Sequence, residues 1–138
     1  MTINESNGYI LNTGDIYIHD DMLLSLQFNK NEKTILLYLK KFADEKSEYT
    51  IKFNNVIGFD MTSCDFWGAS ERIDWFSYLD KQERVLIPRL QKQWQDVPHV
   101  TSIPSYDDYI EIDLSFISGD KLRIACTTIE IGLDTLEV

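Results

Sequence analysis

His19, Cys64, His99 and Cys126 are the only histidines and cysteines of the chain, and their spacing decides which chemistry they can support. Zinc ribbons and fingers use close pairs of ligands a few residues apart, and none of these four has such a neighbour. His19 opens the run His19-Asp20-Asp21. A His beside an Asp is a signature of metal-dependent phosphohydrolases, but that chemistry needs several further His and Asp ligands, carried on helices. Here His19 lies in a β-rich segment and His99 is the other imidazole. A metal-dependent hydrolase using His19 and Asp20 is kept as an alternative. The simpler expectation is that one of these side chains holds the start of a strand by hydrogen bonds to backbone.

Nucleophilic chemistry finds no better support. The sequence has no GxSxG elbow and no phosphate-binding P-loop. The adjacent carboxylates Asp20-Asp21 and Asp107-Asp108 read as solvated turn residues rather than as an acid and base pair. No catalytic residue, metal ligand or cofactor is therefore assigned, and the chain is expected not to be an enzyme.

What stands above this background is a mixture of carboxylates and aromatic rings in two stretches, Asp60 to Asp74 and Tyr106 to Tyr109. Aromatic rings in acidic surroundings suit an interface that takes up Lys and Arg through ion pairs and cation–π contacts. The expected partner-binding residues are Asp60, Asp65, Trp67, Glu71, Asp74, Tyr106, Asp107, Asp108 and Tyr109. The competing expectation makes Trp67 and Trp75 core residues with carboxylates on nearby loops.

The formal net charge of −10 sharpens the choice of partner. Nucleic-acid binding depends on Lys and Arg neutralising phosphates, so neither nucleic acid nor an anionic membrane surface is expected. A basic protein is a compatible partner, and a homo-oligomer is left open. The longest purely apolar run, Ile35 to Leu39, falls far short of the roughly 20 residues that cross a bilayer as a helix. The segment MTINESNGYI lacks a basic region followed by an apolar stretch, so neither a secretory signal nor a transit peptide is expected. The expected compartment is the cytoplasm, where Cys64 and Cys126 are buried thiols rather than a disulfide.

The elements that must position these residues are mostly strands. Residues 1 to 8 are polar and expected to be loosely held, with a turn at residues 12 to 15 and a short β piece at Ile16-Tyr17-Ile18. Met22, Leu24, Leu26 and Phe28 alternate with Leu23, Ser25 and Gln27 as in a half-buried strand. Residues 34 to 42 are apolar on both faces at first, and the flanking loop signals NKNEK and ADEKSE favour a central strand over a helix. Tyr49, Ile51, Phe53, Ile57, Phe59 and Met61 keep one phase across Asn54-Asn55. This favours a bulge inside one continuous strand over a two-residue turn. Ile73, Trp75 and Leu79 alternate with Asp74, Phe76 and Tyr78 in a further strand.

A helix is expected near residues 87–95, where Leu86, Leu90 and Trp94 share a face; Pro88 belongs in its first turn. The last third predicts a hairpin with loop Ser118-Gly119-Asp120 and Phe116 opposite Leu122, which puts Glu111 on the outer face. At 138 residues the chain is expected to form a single domain, residues 1–138. Its expected class is α+β, mainly antiparallel, a curved sheet or sandwich of about seven to nine strands with one helix.

The order IHDDMLLSLQF (residues 18–28), IKFNNVIGFDMTSCDFWG (51–68), RIDW (72–75) and SGDKLRIACTTIEI (118–131) resembles small bacterial immunity proteins of polymorphic toxin systems and their uncharacterised relatives. In that pattern a His-Asp pair opens the first long strand, a Phe-x-x-Val strand follows and a Cys sits in the last strand, as Cys126 does here. The helical stretch and the proline-containing connection after it fall outside the pattern. The resemblance implies a cytoplasmic, non-enzymatic, β-rich protein that binds and neutralises a co-encoded toxin. The runner-up is a structural or regulatory subunit with another partner.

Overall fold

The computed structural model describes residues 1–43, 47–62, 72–97 and 106–132. Within them the strands are β1 (Thr2–Ile3), β2 (Met22–Asn29), β3 (Thr34–Lys40), β4 (Glu48–Asn54), β5 (Gly58–Met61), β6 (Ile73–Tyr78), β7 (Ile110–Phe116), β8 (Lys121–Cys126) and β9 (Thr128–Ile131), with helix α1 (Leu86–Gln95) between β6 and β7. They form two antiparallel sheets, β1-β9-β4-β3-β2 and β5-β8-β7-β6. The expected α+β class, dominated by antiparallel strands with one helix, is what the chain adopts.

The two-residue period explains the packing. Ile35, Leu37 and Leu39 of β3 and Tyr49, Ile51 and Phe53 of β4 point inward, as do Ile112 and Leu114 of β7 and Leu122 and Ile124 of β8, and all belong to one core. The sheets face each other across it; the rings of Phe53 and Phe76, one from each sheet, meet edge to face at 6.4 Å. The aliphatic side chains of this core need no polar partner, and the Tyr49 hydroxyl has one in Asp21. The fold is therefore driven by the apolar faces that alternation creates.

One pair of long strands belongs to both sheets. The chain leaves β4 at Asn54, turns at Asn55 and enters β5, while β8 passes into β9 through Thr127. Both bend at the same level: Thr127 N donates to Asn54 O (3.2 Å), Ile57 N to Ala125 O (3.0 Å) and Asn55 Nδ2 to Thr127 Oγ1 (3.0 Å). This corrects the expected bulge in a single strand. Asn55 adopts φ 51°, a left-handed conformation that asparagine tolerates, and uses it to carry the chain from one sheet to the other. The same corner divides the expected closing hairpin into β8 and β9.

Two genuine bulges lie elsewhere and re-aim side chains. In β2 the register against β3 shifts between Leu23 and Ser25, so Leu23 and Leu26 pack on the core while Leu24 and Phe28 stay exposed. In β6 the register against β7 shifts between Ile73 and Trp75. Ile73 and Phe76 therefore face inward and Trp75 outward, the reverse of the expected phase for Trp75 and Phe76. Strand β3 is covered on one face and only partly on the other, since Tyr38 is exposed.

The N-terminal residues are tied down rather than loose. Ile3 is fully buried and pairs with Ile129, and a short 3-10 helix, Gly8–Asn12, follows. Residues 16–18 form no strand. In the β7–β8 hairpin Leu114 stands opposite Leu122 and Ile112 opposite Ile124, two residues from the expected register. The faces are unchanged because two is one full pleat. Phe116 N donates to Asp120 O (2.9 Å), Gly119 N donates to Phe116 O (2.9 Å), and Gly119 takes φ 95°. The loop is thus Ile117-Ser118-Gly119, with glycine at the left-handed position of a three-residue hairpin.

Helix α1 lies on the outer face of the β5-β8-β7-β6 sheet, where Leu86, Ile87, Tyr106 and Ala125 form a second small core. Glu111, expected on an open outer face, is fully buried there. Its carboxylate accepts from Val85 N (2.9 Å), Leu86 N (3.0 Å) and Ile87 N (2.8 Å). A helix start leaves N–H groups without intrahelical acceptors. Pro88 has none to satisfy, and Glu111 takes the other three.

Candidate functional site

The segment Asn12–Asp21 runs antiparallel to β6 and is bonded to it at both ends. Asn12 donates through Nδ2 to Tyr78 O (2.9 Å) and accepts through Oδ1 from Tyr78 N (3.0 Å), so one side chain stands in for a neighbouring strand. At the other end Asp20 N donates to Ile73 O (2.7 Å) and Ile73 N to Asp21 O (2.9 Å). Between these anchors the chain has more residues than the strand beside it, and it bows outward through Gly14, at φ 85°. A cleft of about 230 Å³ is left, with residues 11–19 on one side and Ile73–Phe76 on the other.

The anchor at Asp20-Asp21 explains the His-Asp-Asp run. Asp20 takes φ 69°, which lets the backbone turn into β2, and its carboxylate lies 3.2 Å from His19 Nδ1. Asp21 is buried and its carboxylate is fully engaged: it accepts from Phe42 N (3.0 Å), from Lys41 Nζ (3.1 Å) and from the Tyr49 hydroxyl. Lys41 Nζ also donates to Tyr17 O (3.0 Å). The side chain that holds the start of the strand is thus Asp21, not His19 or Asp20. Tyr49 is raised well above the usual phenol range by its burial, then by its hydrogen bond to Asp21 and by that carboxylate's charge.

The rim of the cleft carries what the interior of a protein normally hides. Tyr17 is 69% exposed and Trp75 60% exposed, one on each wall. The His19 ring lies 6.2 Å from that of Tyr17, and His19 Nε2 stands 3.5 Å from Asp74 Oδ1. Asp74 is more than half exposed. Among the described residues no Lys or Arg lines the cleft. The arrangement can bind a cation against rings and a carboxylate; it offers no nucleophile with an adjacent base. Among the described residues no group of three or more His, Cys, Asp and Glu is placed to hold a metal ion, and His19, Asp20 and Asp74 form a rim of neighbouring polar groups.

The expected partner-binding residues do not gather into one patch. Asp74 joins the cleft. Asp60 lies on β5, at the far edge of the same sheet, where Arg89 of α1 meets it at 3.3 Å. Tyr106 is buried in the small core under α1, so it is a packing residue and not a contact surface. Its ring lies 5.9 Å from that of Tyr109, and Asp107 and Asp108 form the exposed turn between them. Asp65, Trp67 and Glu71 lie outside the described residues, as do Cys64 and His99. Cys126 is buried as a free thiol. Tyr17 and Trp75, the exposed rings of the cleft, are not among the expected partner-binding residues. Trp75 carried no signal, because the bulge that turns it outward is invisible in the alternation; Tyr17 was hidden in what reads as a short strand.

The site therefore belongs to a two-sheet antiparallel β protein with a side-chain-sized acidic and aromatic cleft at one sheet edge. No protein-family model and no curated protein matches the chain. Among solved structures it is similar to the crystal structure of an uncharacterized protein from Neisseria gonorrhoeae, with a TM-score of 0.44 and 20% identity, over 95% of this chain and 96% of that one. No helix among the described residues is long and apolar enough to cross a membrane.

Proposed function

We propose that this chain is a non-enzymatic, cytoplasmic binding protein of the immunity type, which neutralises a basic toxin by occupying its functional surface. The observation that carries this reading is the cleft: two exposed aromatic rings, Tyr17 and Trp75, flank the carboxylate of Asp74, with no Lys or Arg among the described residues that line the space. Exposed aromatic anchors in a concave site are what binding hot spots are made of. A net charge of −10 steers a basic partner toward the surface and repels nucleic acid. The resemblance in residues 18–28, 51–68, 72–75 and 118–131 supports the toxin as the partner's class.

Co-expression with the toxin-like protein encoded in the neighbouring reading frame tests the reading. Rescue of growth supports it, and continued killing by an active toxin with this chain well expressed overturns it. Within the complex, Asp74→Lys is expected to slow association and weaken binding by about tenfold at low salt, with a smaller effect at high salt. Binding unchanged by Asp74→Lys would remove the cleft from the contact.

A further inference from the structure

We infer that the cleft beside β6 is a receptor for one arginine side chain, presented by the protein partner. The inference rests on the reading of the chain as an acidic binder and names what that binder grips. Size sets the first limit: about 230 Å³ is below the roughly 300–1,000 Å³ of small-molecule sites, which suits a single side chain rather than a metabolite or cofactor. Charge sets the second, since Asp74 lies in the wall and no Lys or Arg among the described residues lines it.

The choice of arginine over lysine comes from geometry. A guanidinium is a flat fork with five donors that stacks on rings, pairs with carboxylates and is less strongly hydrated than an ammonium. Tyr17 and Trp75 supply ring faces and Asp74 the carboxylate, whose Oδ1 lies 3.5 Å from His19 Nε2. The strand edge supplies a further acceptor. Along an antiparallel strand alternate residues turn their N–H and C=O to opposite sides. Tyr78 turns both toward Asn12, so Phe76, two residues earlier and past the bulge, turns its own toward the same side, where the strap has bowed away. The Phe76 carbonyl thus opens into the cleft, between the two anchored ends at Ile73 and Tyr78. A guanidinium can reach the carboxylate and this carbonyl together while lying against a ring; a lysine ammonium offers a point charge with no flat face.

The test is titration of the isotope-labelled 138-residue chain with N-acetyl-arginine methylamide, followed through the Trp75 indole N–H and the Phe76 amide. The matching lysine and citrulline compounds serve as comparisons. Saturable shifts at both positions with the arginine compound are expected, weaker by about fivefold with lysine and absent with the uncharged citrulline. Asp74→Asn is expected to weaken binding by about tenfold, and Trp75→Ala by a similar factor. Both side chains are exposed, so the fold should survive either change. Equal responses to arginine and lysine, or no saturable shift, would overturn the inference. If the toxin still binds while the arginine compound does not, the inference falls and the proposed function stands. If the compound binds at Trp75 but no toxin is neutralised, the arginine cleft stands and the immunity reading falls.

Discussion

Asp21 shows how much a single carboxylate can organise. It joins the start of β2 to the end of β3 through Lys41 and Phe42, and to β4 through Tyr49. Replacing it with Ala strands a buried hydroxyl, an amide and an ammonium at once. Asp21→Ala is expected to cost about 2–4 kcal/mol in urea unfolding, against about 1 kcal/mol for Tyr49→Phe, which leaves the other two bonds in place. A cost for Asp21→Ala no larger than for Tyr49→Phe would show that the network is not cooperative. The ionisable groups of the core make a second statement at this scale. Burial pushes the Cys126 thiol up from 9.0 to about 12, and the Tyr49 phenol is raised above its ordinary 10.0. Both stay protonated in the fold while the unfolded chain ionises, so their contribution to stability is complete below about pH 9 and is lost as pH climbs from there toward 12. The urea midpoint should therefore fall between pH 8.5 and pH 10.5, by less in a Cys126→Ala variant; a midpoint flat over that range would contradict this. The His-Asp-Asp run was conspicuous in the sequence, yet which of its three side chains does the holding was not legible. That choice depends on Lys41, Phe42 and Tyr49, 20 to 28 residues from Asp21 in the chain, arriving at one place.

At the scale of elements, the clearest device is the capping of α1 from outside itself. The helix has no side-chain cap of its own, with Val85 at the position before its first turn. A buried carboxylate from β7 does the work that Ser, Thr or Asp usually do locally, and the negative charge also suits the helix N-terminus. Glu111→Ala is expected to cost about 3 kcal/mol and to loosen α1 from the sheet. Glu111→Gln keeps one acceptor oxygen and should cost about half as much. Amide exchange at Ile87 and Leu90 should accelerate more than exchange at Ile112, and equal acceleration throughout would show that the helix is not separately docked. Strand and helix positions were legible because burial on one face writes itself into alternation and into the Leu86-Leu90 spacing. Bulges were not, since an extra residue in β2 or β6 changes which side chains face out without changing the composition of the run. The candidate site suffered most from this: the bulge before Trp75 both turns the indole outward and opens the Phe76 edge.

On the scale of the whole molecule, the expected architecture of an antiparallel, β-dominated fold with one helix is realised, while the assignment of each strand to one of the two sheets was not legible. The odd-position phase of Ile51 and Phe53 returns at Phe59 and Met61, opposite Ile124 and Leu122, but between them, where the chain passes from one sheet to the other, Val56 packs on the main core and Ile57 on the small core under α1. Periodicity reports which way side chains point relative to their own strand and says nothing about a corner. The acidic surface was legible in total charge and not in distribution: Asp60, Asp74 and the Asp107-Asp108 turn fall at separate places on the second sheet, and only Asp74 meets a cleft. The pairing of β1 with β9 carries one more consequence. The Met1 amine donates to Ile131 O across a separation of 130 residues, and β9 lies between β1 and β4 inside its sheet. On the ribosome, β1, β3 and β4 emerge well before β9, the strand that fills the slot between β1 and β4. Until residue 131 has emerged Ile3 has no partner strand and the face around Ile51 and Phe53 stays incompletely covered, so the nascent chain offers open strand edges and apolar surface during that time. Slowing translation should prolong that exposure and lower the folded yield in the absence of chaperones, which the soluble fraction at two rates of synthesis would check.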